Sequence, residues 1–195
     1  MKASTKKTFT EAAVRASAQV YDVQNMDQAL AKALEILAAK APLVPQTKTA
    51  QPTTGPILAA PDLTDTAFDR LNSLCREQGI SLIRDNLRQF PQGIDMGITH
   101  ARYGIAETGT IVVESDDEEV RLASMLSEFH LAILSPSEIG ESALDMADQL
   151  AELTANPASY TAFITGPSRT ADIERVLAIG VHGPLELHIV LVEEE

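Results

Sequence analysis

Tryptophan is absent from this chain, and phenylalanine and tyrosine together bring aromatic content to only 4%. With 45% apolar residues, the core must therefore be aliphatic, built from Leu, Ile, Val and Ala. Cysteine is nearly absent too. Cys75 stands alone, which excludes an intrachain disulfide and any thiolate set for zinc or an iron–sulfur cluster. Its place beside Leu71 and Leu74 at helical spacing reads as a small buried hydrophobe rather than a reactive thiol. Positive charge is scarce: 15 Lys and Arg face 28 Asp and Glu, a formal charge of −13. Nucleic acid and anionic lipid need a basic face, so neither is expected as a partner. No run approaches the ~18 apolar residues of a membrane span. The basic start MKASTKKTFTEAA has no apolar stretch of the signal-peptide kind, so a cytoplasmic location is expected without membrane insertion. No HExxH and no histidine pair at ligand spacing occur among the 4 histidines, so no metal is expected.

The 195 residues suit one domain. Residues 1–8 read as a frayed, disordered tail, and 9–195 as a single α/β domain. A helical bias covers Phe9–Ala18, QVYDV (19–23) reads as a short strand, and Met26–Lys40 carries Leu30, Leu34 and Leu37 on one helical stripe. The stretch 41–56 holds Pro42, Pro45, Pro52, Pro56 and several threonines without periodicity, which predicts a connector or lid. Strands and helices then alternate. Strands are expected at 57–61, 80–84, 131–134, 161–165 and 187–192. Helices are expected at Thr66–Gln78 (with Gly79 at its C-terminal cap), Glu118–Phe129, Ser142–Leu153 and Ile173–Ala178. Such alternation argues for helices on both faces of a largely parallel sheet, with ligands beyond the carboxyl ends of the strands. One segment interrupts it. In 95–115, GIAETGTIVV reads as strand, tight Thr108-Gly109 turn and return strand.

Four places carry polar chemistry. TGPSRTAD (165–172) sets Gly166, Ser168, Arg169 and Thr170 between a strand and an expected helix, where free N–H groups and a guanidinium suit a carboxylate or phosphate. The same residues also make an ordinary capped turn, with Asp172 at the helix start. His182, in the glycine-flanked GVHGP, is either a proton carrier or an exposed loop histidine. His100 neighbours Arg102 and Tyr103 and is placed to line a cleft, whereas His130 reads as a helix end and His188 as a strand residue. Glu107, beside the Thr108-Gly109 turn, is either a base or nucleophile or a fixer of the turn.

Two stretches, GITHARYGIAETGTIVVES and ITGPSRTADIERVLAIGVHGPLELHIVLVE, together resemble the lactate-utilisation protein C family, the LUD domain or YkgG group. The likeness runs over roughly 57–192. It implies a fold like the ribose-5-phosphate isomerase, glucosamine-phosphate deaminase and CoA-transferase group: a three-layer α/β/α sandwich with a mostly parallel mixed sheet, the hairpin at 95–115 being an excursion within it. It further implies an accessory or regulatory subunit of a system oxidising L-lactate to pyruvate. The partners would be iron–sulfur proteins, the ligand a small anion or anionic cofactor, and this chain would hold no cluster. The expected site unites Gly166, Ser168, Arg169, Thr170, Thr108, Gly109 and His100, with Glu107 and His182 as catalytic candidates. By analogy with CoA transferases, Glu107 would be the nucleophile if the chain were instead a stand-alone enzyme of the sugar-phosphate isomerase or CoA-transferase type. A pure protein-interaction module is the third possibility.

Overall fold

The structure is a computed structural model that describes residues 3–40, 55–90, 93–155, 160–171, 177–179 and 183–194. The chain opens with helix α1 (Ala3–Arg15), strand β1 (Gln19–Asn25) and helix α2 (Met26–Ala39). Strand β2 (Ile57–Ala59), helix α3 (Asp65–Glu77) and strand β3 (Ser81–Ile83) follow. Next come β4 (Ile94–His100), β5 (Tyr103–Ile105), β6 (Thr110–Glu114), helix α4 (Glu118–Leu126) and β7 (Ser127–Leu134). The remainder is β8 (Ile139–Gly140), helix α5 (Ala147–Leu153), β9 (Thr161–Ile164), β10 (Arg169–Ala171), β11 (Leu177–Ile179) and β12 (Glu186–Glu194).

Six strands form one sheet in the order β1-β12-β7-β4-β2-β3, and every pairing within it is parallel. Parallel strands need crossovers, and the crossover helices bury both faces. On one face Leu131, Ile133, Val190 and Val192 pack with α2 and α3, whose stripes include Leu30, Leu34 and Leu71. On the other, Leu134, Leu187, Ile189 and Leu191 pack with Phe9 and Ala13 of α1 and Val120 of α4. Local signals start the helices where the sequence places them. The Asn25 side chain accepts the Gln28 N–H at 3.1 Å to cap α2, and Thr64 accepts the Ala67 N–H at 3.3 Å to cap α3. Gly79 ends α3 in the left-handed region, φ 69°. Cys75 is fully buried in α3, and burial pushes its thiol up to about 11, as suits a structural hydrophobe.

Several expectations need correction. The expected tail at 1–8 is helical from Ala3, because Thr5 and Phe9 are buried against the sheet. The helix expected to reach Phe129 stops at Leu126. Ser127 Oγ donates to the Ala123 carbonyl at 2.6 Å, and Phe129 and His130 already lie in β7. The helix expected over 142–153 begins only at Ala147, since the Ser142 hydroxyl takes the Asp145 N–H at 3.1 Å in a local turn. Within the helix expected at 173–178, Leu177 and Ala178 belong to β11, which pairs antiparallel with β10; residues 173–176 lie outside the described residues. The hairpin at 95–115 divides. Its first segment is β4 of the main sheet, while β5 and β6 join a separate four-stranded sheet, β8-β5-β6-β9, rather than an excursion of the first. Strand 161–165 enters that second sheet too. Most of the 41–56 stretch lies outside the described residues.

Candidate functional site

β9 runs antiparallel to β6 and delivers the TGPS loop to the end of α1. Gly166 sits at φ 74° with room for nothing larger, since a Cβ there would come within 2.1 Å of the Ala16 carbonyl oxygen. Gly109 behaves alike: φ is 67°, and a Cβ would meet the Ala13 nitrogen at 2.1 Å. Both turn glycines thus press on the C-terminal end of the same helix. Hydroxyls join the two motifs as well. Thr108 Oγ1 lies 2.7 Å from Thr110 Oγ1, which lies 2.7 Å from Thr165 Oγ1. The Ser168 N–H then donates to the Pro184 carbonyl at 2.9 Å, tying the loop to the approach of β12.

Between this loop, α4 and the sheet face lies a cavity of about 310 Å³. His130 and Leu187 line it from β7 and β12, Arg121 and Met125 from α4, and Phe163 and Ser168 from β9 and the loop. This is the amino-terminal half of β7 and β12, not the carboxyl edge where ligands were expected. Arg121 brings the cavity its guanidinium. Nη1 donates to the Ser115 carbonyl at 3.3 Å, Nη2 stands 3.8 Å from Glu118, and the group lies 4.9 Å from the Tyr160 ring centroid. Met125, Tyr160 and Phe163 leave about half their surface exposed at the mouth: 48%, 48% and 53%.

His130 is fully enclosed, and its Nε2 lies 2.8 Å from the Thr99 hydroxyl. Burial pushes its imidazole down to about 4, outweighing the opposing pull of Asp62, so the ring is neutral near pH 7. The unfolded chain binds a proton near 6.5 that the fold refuses until about 4. Stability is therefore complete above 6.5 and falls as pH drops towards 4, by about 1.4 kcal/mol per pH unit. Burial also lowers His188, against the opposing pull of Glu186, so His188 adds to the pH dependence with the same sign as His130. Urea denaturation at both ends of this window should show the loss, and His130→Gln should flatten it.

Of the expected site residues, Gly166 and Ser168 line the cavity; Thr108 is linked through Thr110 to Thr165 of the lining, while Gly109 packs on α1 outside the lining. Arg169 is exposed, and its guanidinium donates to the Ala16 carbonyl. Thr170 lies in β10, described by its backbone alone. Glu107 is exposed outside the cavity lining. Its Oε1 accepts the Ala143 N–H at 3.1 Å, and its own N–H donates to the Glu141 carbonyl at 3.0 Å. His100 stands elsewhere, at the carboxyl end of β4. His182 and Asp172 lie outside the described residues. Sequence reasoning missed Arg121, Tyr160, Phe163 and the cavity role of His130. The one available signal was an arginine on a helix whose other polar residues are mostly acidic. Among the described residues no group of three His, Cys, Asp or Glu is placed to hold a metal, and no helix is long and apolar enough to cross a membrane.

The LUD domain model matches residues 6–192. Lactate utilization protein C of Shouchella clausii is 34% identical over 116 residues, 57% of this chain and 51% of that protein. The Escherichia coli protein YkgG is 35% identical over 113 residues, 56% and 48% of the two chains. Lactate utilization protein C of Bacillus subtilis is 34% identical over 113 residues, 56% and 47%. The chain thus spans about half the length of the relatives it matches. The crystal structure of a DUF162 family protein from Deinococcus radiodurans superposes with a TM-score of 0.59 over 98% of both chains at 16% identity, a likeness of fold alone. On the family match over nearly its whole length, the chain belongs to the LUD domain family.

Proposed function

We propose that this chain serves in lactate utilisation as an accessory or regulatory subunit. It would act with iron–sulfur proteins that oxidise L-lactate, and bind a small anion or anionic cofactor at the TGPS loop. The names of the relatives support the process. The observation that carries the accessory role is the cavity mouth, where Met125, Tyr160 and Phe163 stand half exposed around a largely apolar interior whose polar groups include Arg121 and Ser168. Apolar side chains gathered on one surface, beside a cavity, suit contact with another protein. The cavity lies at the low end of the ~300–1,000 Å³ range of ligand sites. That leaves room for an anion with an apolar body larger than a three-carbon acid. Glu107, the nucleophile of the stand-alone reading, lies outside that cavity lining.

The test is affinity capture of the tagged chain from its native cell with identification of what accompanies it. Iron–sulfur proteins should co-purify with the wild type and be lost, at least about tenfold, with Phe163→Glu, as befits an apolar anchor made charged. A wild-type chain that captures no iron–sulfur protein removes the accessory reading.

A further inference from the structure

His130 borders the cavity between α4, β9 and the sheet face, with only 1% of its surface exposed. Its ring is half employed. Nε2 lies 2.8 Å from the Thr99 hydroxyl, and among the described residues Nδ1 has no hydrogen-bond partner. Polar atoms both unpaired and sealed from solvent occur among the described residues at Thr161 Oγ1 and Arg84 Nε, for example, but His130 contributes none. An unpaired Nδ1 that is not sealed borders open space, and the open space His130 borders is the cavity. Thr99 lets that nitrogen take either character. When the hydroxyl donates to Nε2, Nδ1 carries the proton; when it accepts from Nε2, Nδ1 offers a lone pair.

The charged group of the lining stands nearer solvent. The Arg121 side chain is 29% exposed. Its donors are lightly used, by one 3.3 Å bond to the Ser115 carbonyl and a 3.8 Å approach to Glu118. Glu118 is itself taken by Arg88, whose Nε donates to one carboxylate oxygen at 3.1 Å and whose Nη2 donates to the other. A planar fork with spare N–H groups suits a carboxylate. Most of the remaining lining is apolar and includes Met125, Phe163, Ile164 and Leu187. A methionine sulfur and a phenyl ring both favour an aryl surface. Burial holds the His130 ring neutral near pH 7, so the enclosed end suits an uncharged hydroxyl or carbonyl rather than a second carboxylate.

We infer that the cavity takes an aryl-bearing monocarboxylate that enters ring first: its carboxylate stays at Arg121, its ring lies among Met125, Phe163 and Leu187, and a hydroxyl or carbonyl at its far end hydrogen-bonds His130 Nδ1. His130 is the contacting residue that sets specificity, and Thr99 is the positioning residue that holds its ring. The choice of an anion rests on the proposed function. The aryl body and the polar far end rest on the lining and on the unpaired His130 nitrogen.

The experiment titrates the full chain by calorimetry with para-hydroxyphenylpropanoate, phenylpropanoate and para-hydroxyphenylpropanol, and follows the ring ¹⁵N signals of His130. The hydroxylated acid should bind saturably and shift those signals. Phenylpropanoate should bind at least about tenfold more weakly, because it leaves a buried nitrogen without a partner. The alcohol should lose at least as much through its missing carboxylate, and Arg121→Leu should erase the preference for acid over alcohol. His130→Phe keeps a ring without its nitrogens and should remove the advantage of the hydroxyl; the three-compound comparison in the wild-type chain decides the matter even where that variant fails to fold. Absence of saturable binding by the hydroxylated acid overturns the site. Equal affinity for the two acids, or binding that leaves the His130 signals unmoved, overturns the role of His130. Capture of iron–sulfur proteins by a chain that binds none of the three compounds refutes this inference and leaves the accessory reading standing, whereas binding without capture does the reverse.

Discussion

Gly109→Ala is expected to destabilise the protein by roughly 2–5 kcal/mol, for two reasons that add. An L-residue held at φ 67° costs about 1–2 kcal/mol. The new methyl also meets backbone, not a yielding side chain: the Ala13 nitrogen at 2.1 Å and the Ala12 carbonyl carbon at 2.5 Å. Relieving it means moving α1 off the β5–β6 turn, and overpacking of this kind costs about 1–3 kcal/mol. Gly79→Ala is the control. Its φ is 69°, but a Cβ there meets nothing within 4 Å, so only the conformational cost applies. Denaturant titration by circular dichroism measures both. Equal losses in the two variants would refute the close approach of the turn to α1.

Lys40→Met should lose about 3–5 kcal/mol, the cost of stripping one partner from a buried ion cluster. The Lys40 side chain is 4% exposed, and its Nζ lies 2.7 Å from Asp95 and 2.6 Å from Glu128. Asp95 also accepts the Ile57 N–H at 2.8 Å, so the cluster ties the end of α2 to β2, β4 and β7 at the amino-terminal edge of the sheet. Without the ammonium, two largely buried carboxylates face each other uncompensated. The triple variant Lys40→Met, Asp95→Asn, Glu128→Gln removes every charge at once and should recover most of the loss, because an apolar or neutral replacement of a buried ion group is often near neutral. Thermal unfolding of the single and triple variants decides it. A single variant within about 1 kcal/mol of wild type would place Lys40 among surface pairs of little value.

Elements defined by short-range signals were legible. Leu30, Leu34 and Leu37 announced α2, Gly79 marked the end of α3, and the Thr108-Gly109 turn joins antiparallel strands as read. Errors arose where periodicity ran past a real boundary. Leu122, Met125, Leu126 and Phe129 keep helical spacing, yet Ser127 ends the helix and Phe129 faces α2 from a strand. At 142–146 a serine–aspartate turn competed with the helix, a contest between two local solutions that composition does not decide. Of the motif TGPSRTAD, Gly166 and Ser168 line the cavity. Its helix-dipole rationale did not carry over, because the chain continues into β10.

Composition, periodicity and turn chemistry were enough to establish an aliphatic α/β protein, an inert buried cysteine and turns at Gly109 and Gly166. Which strands become neighbours was a tertiary decision. It rests on apolar faces paired across large sequence separations, where no single residue carries the information. That decision split the hairpin from the main sheet and brought Arg121, His130 and Phe163 around one cavity. A histidine's neighbours in space determine whether it is a strand filler or a ligand, and those neighbours come from segments that only folding joins.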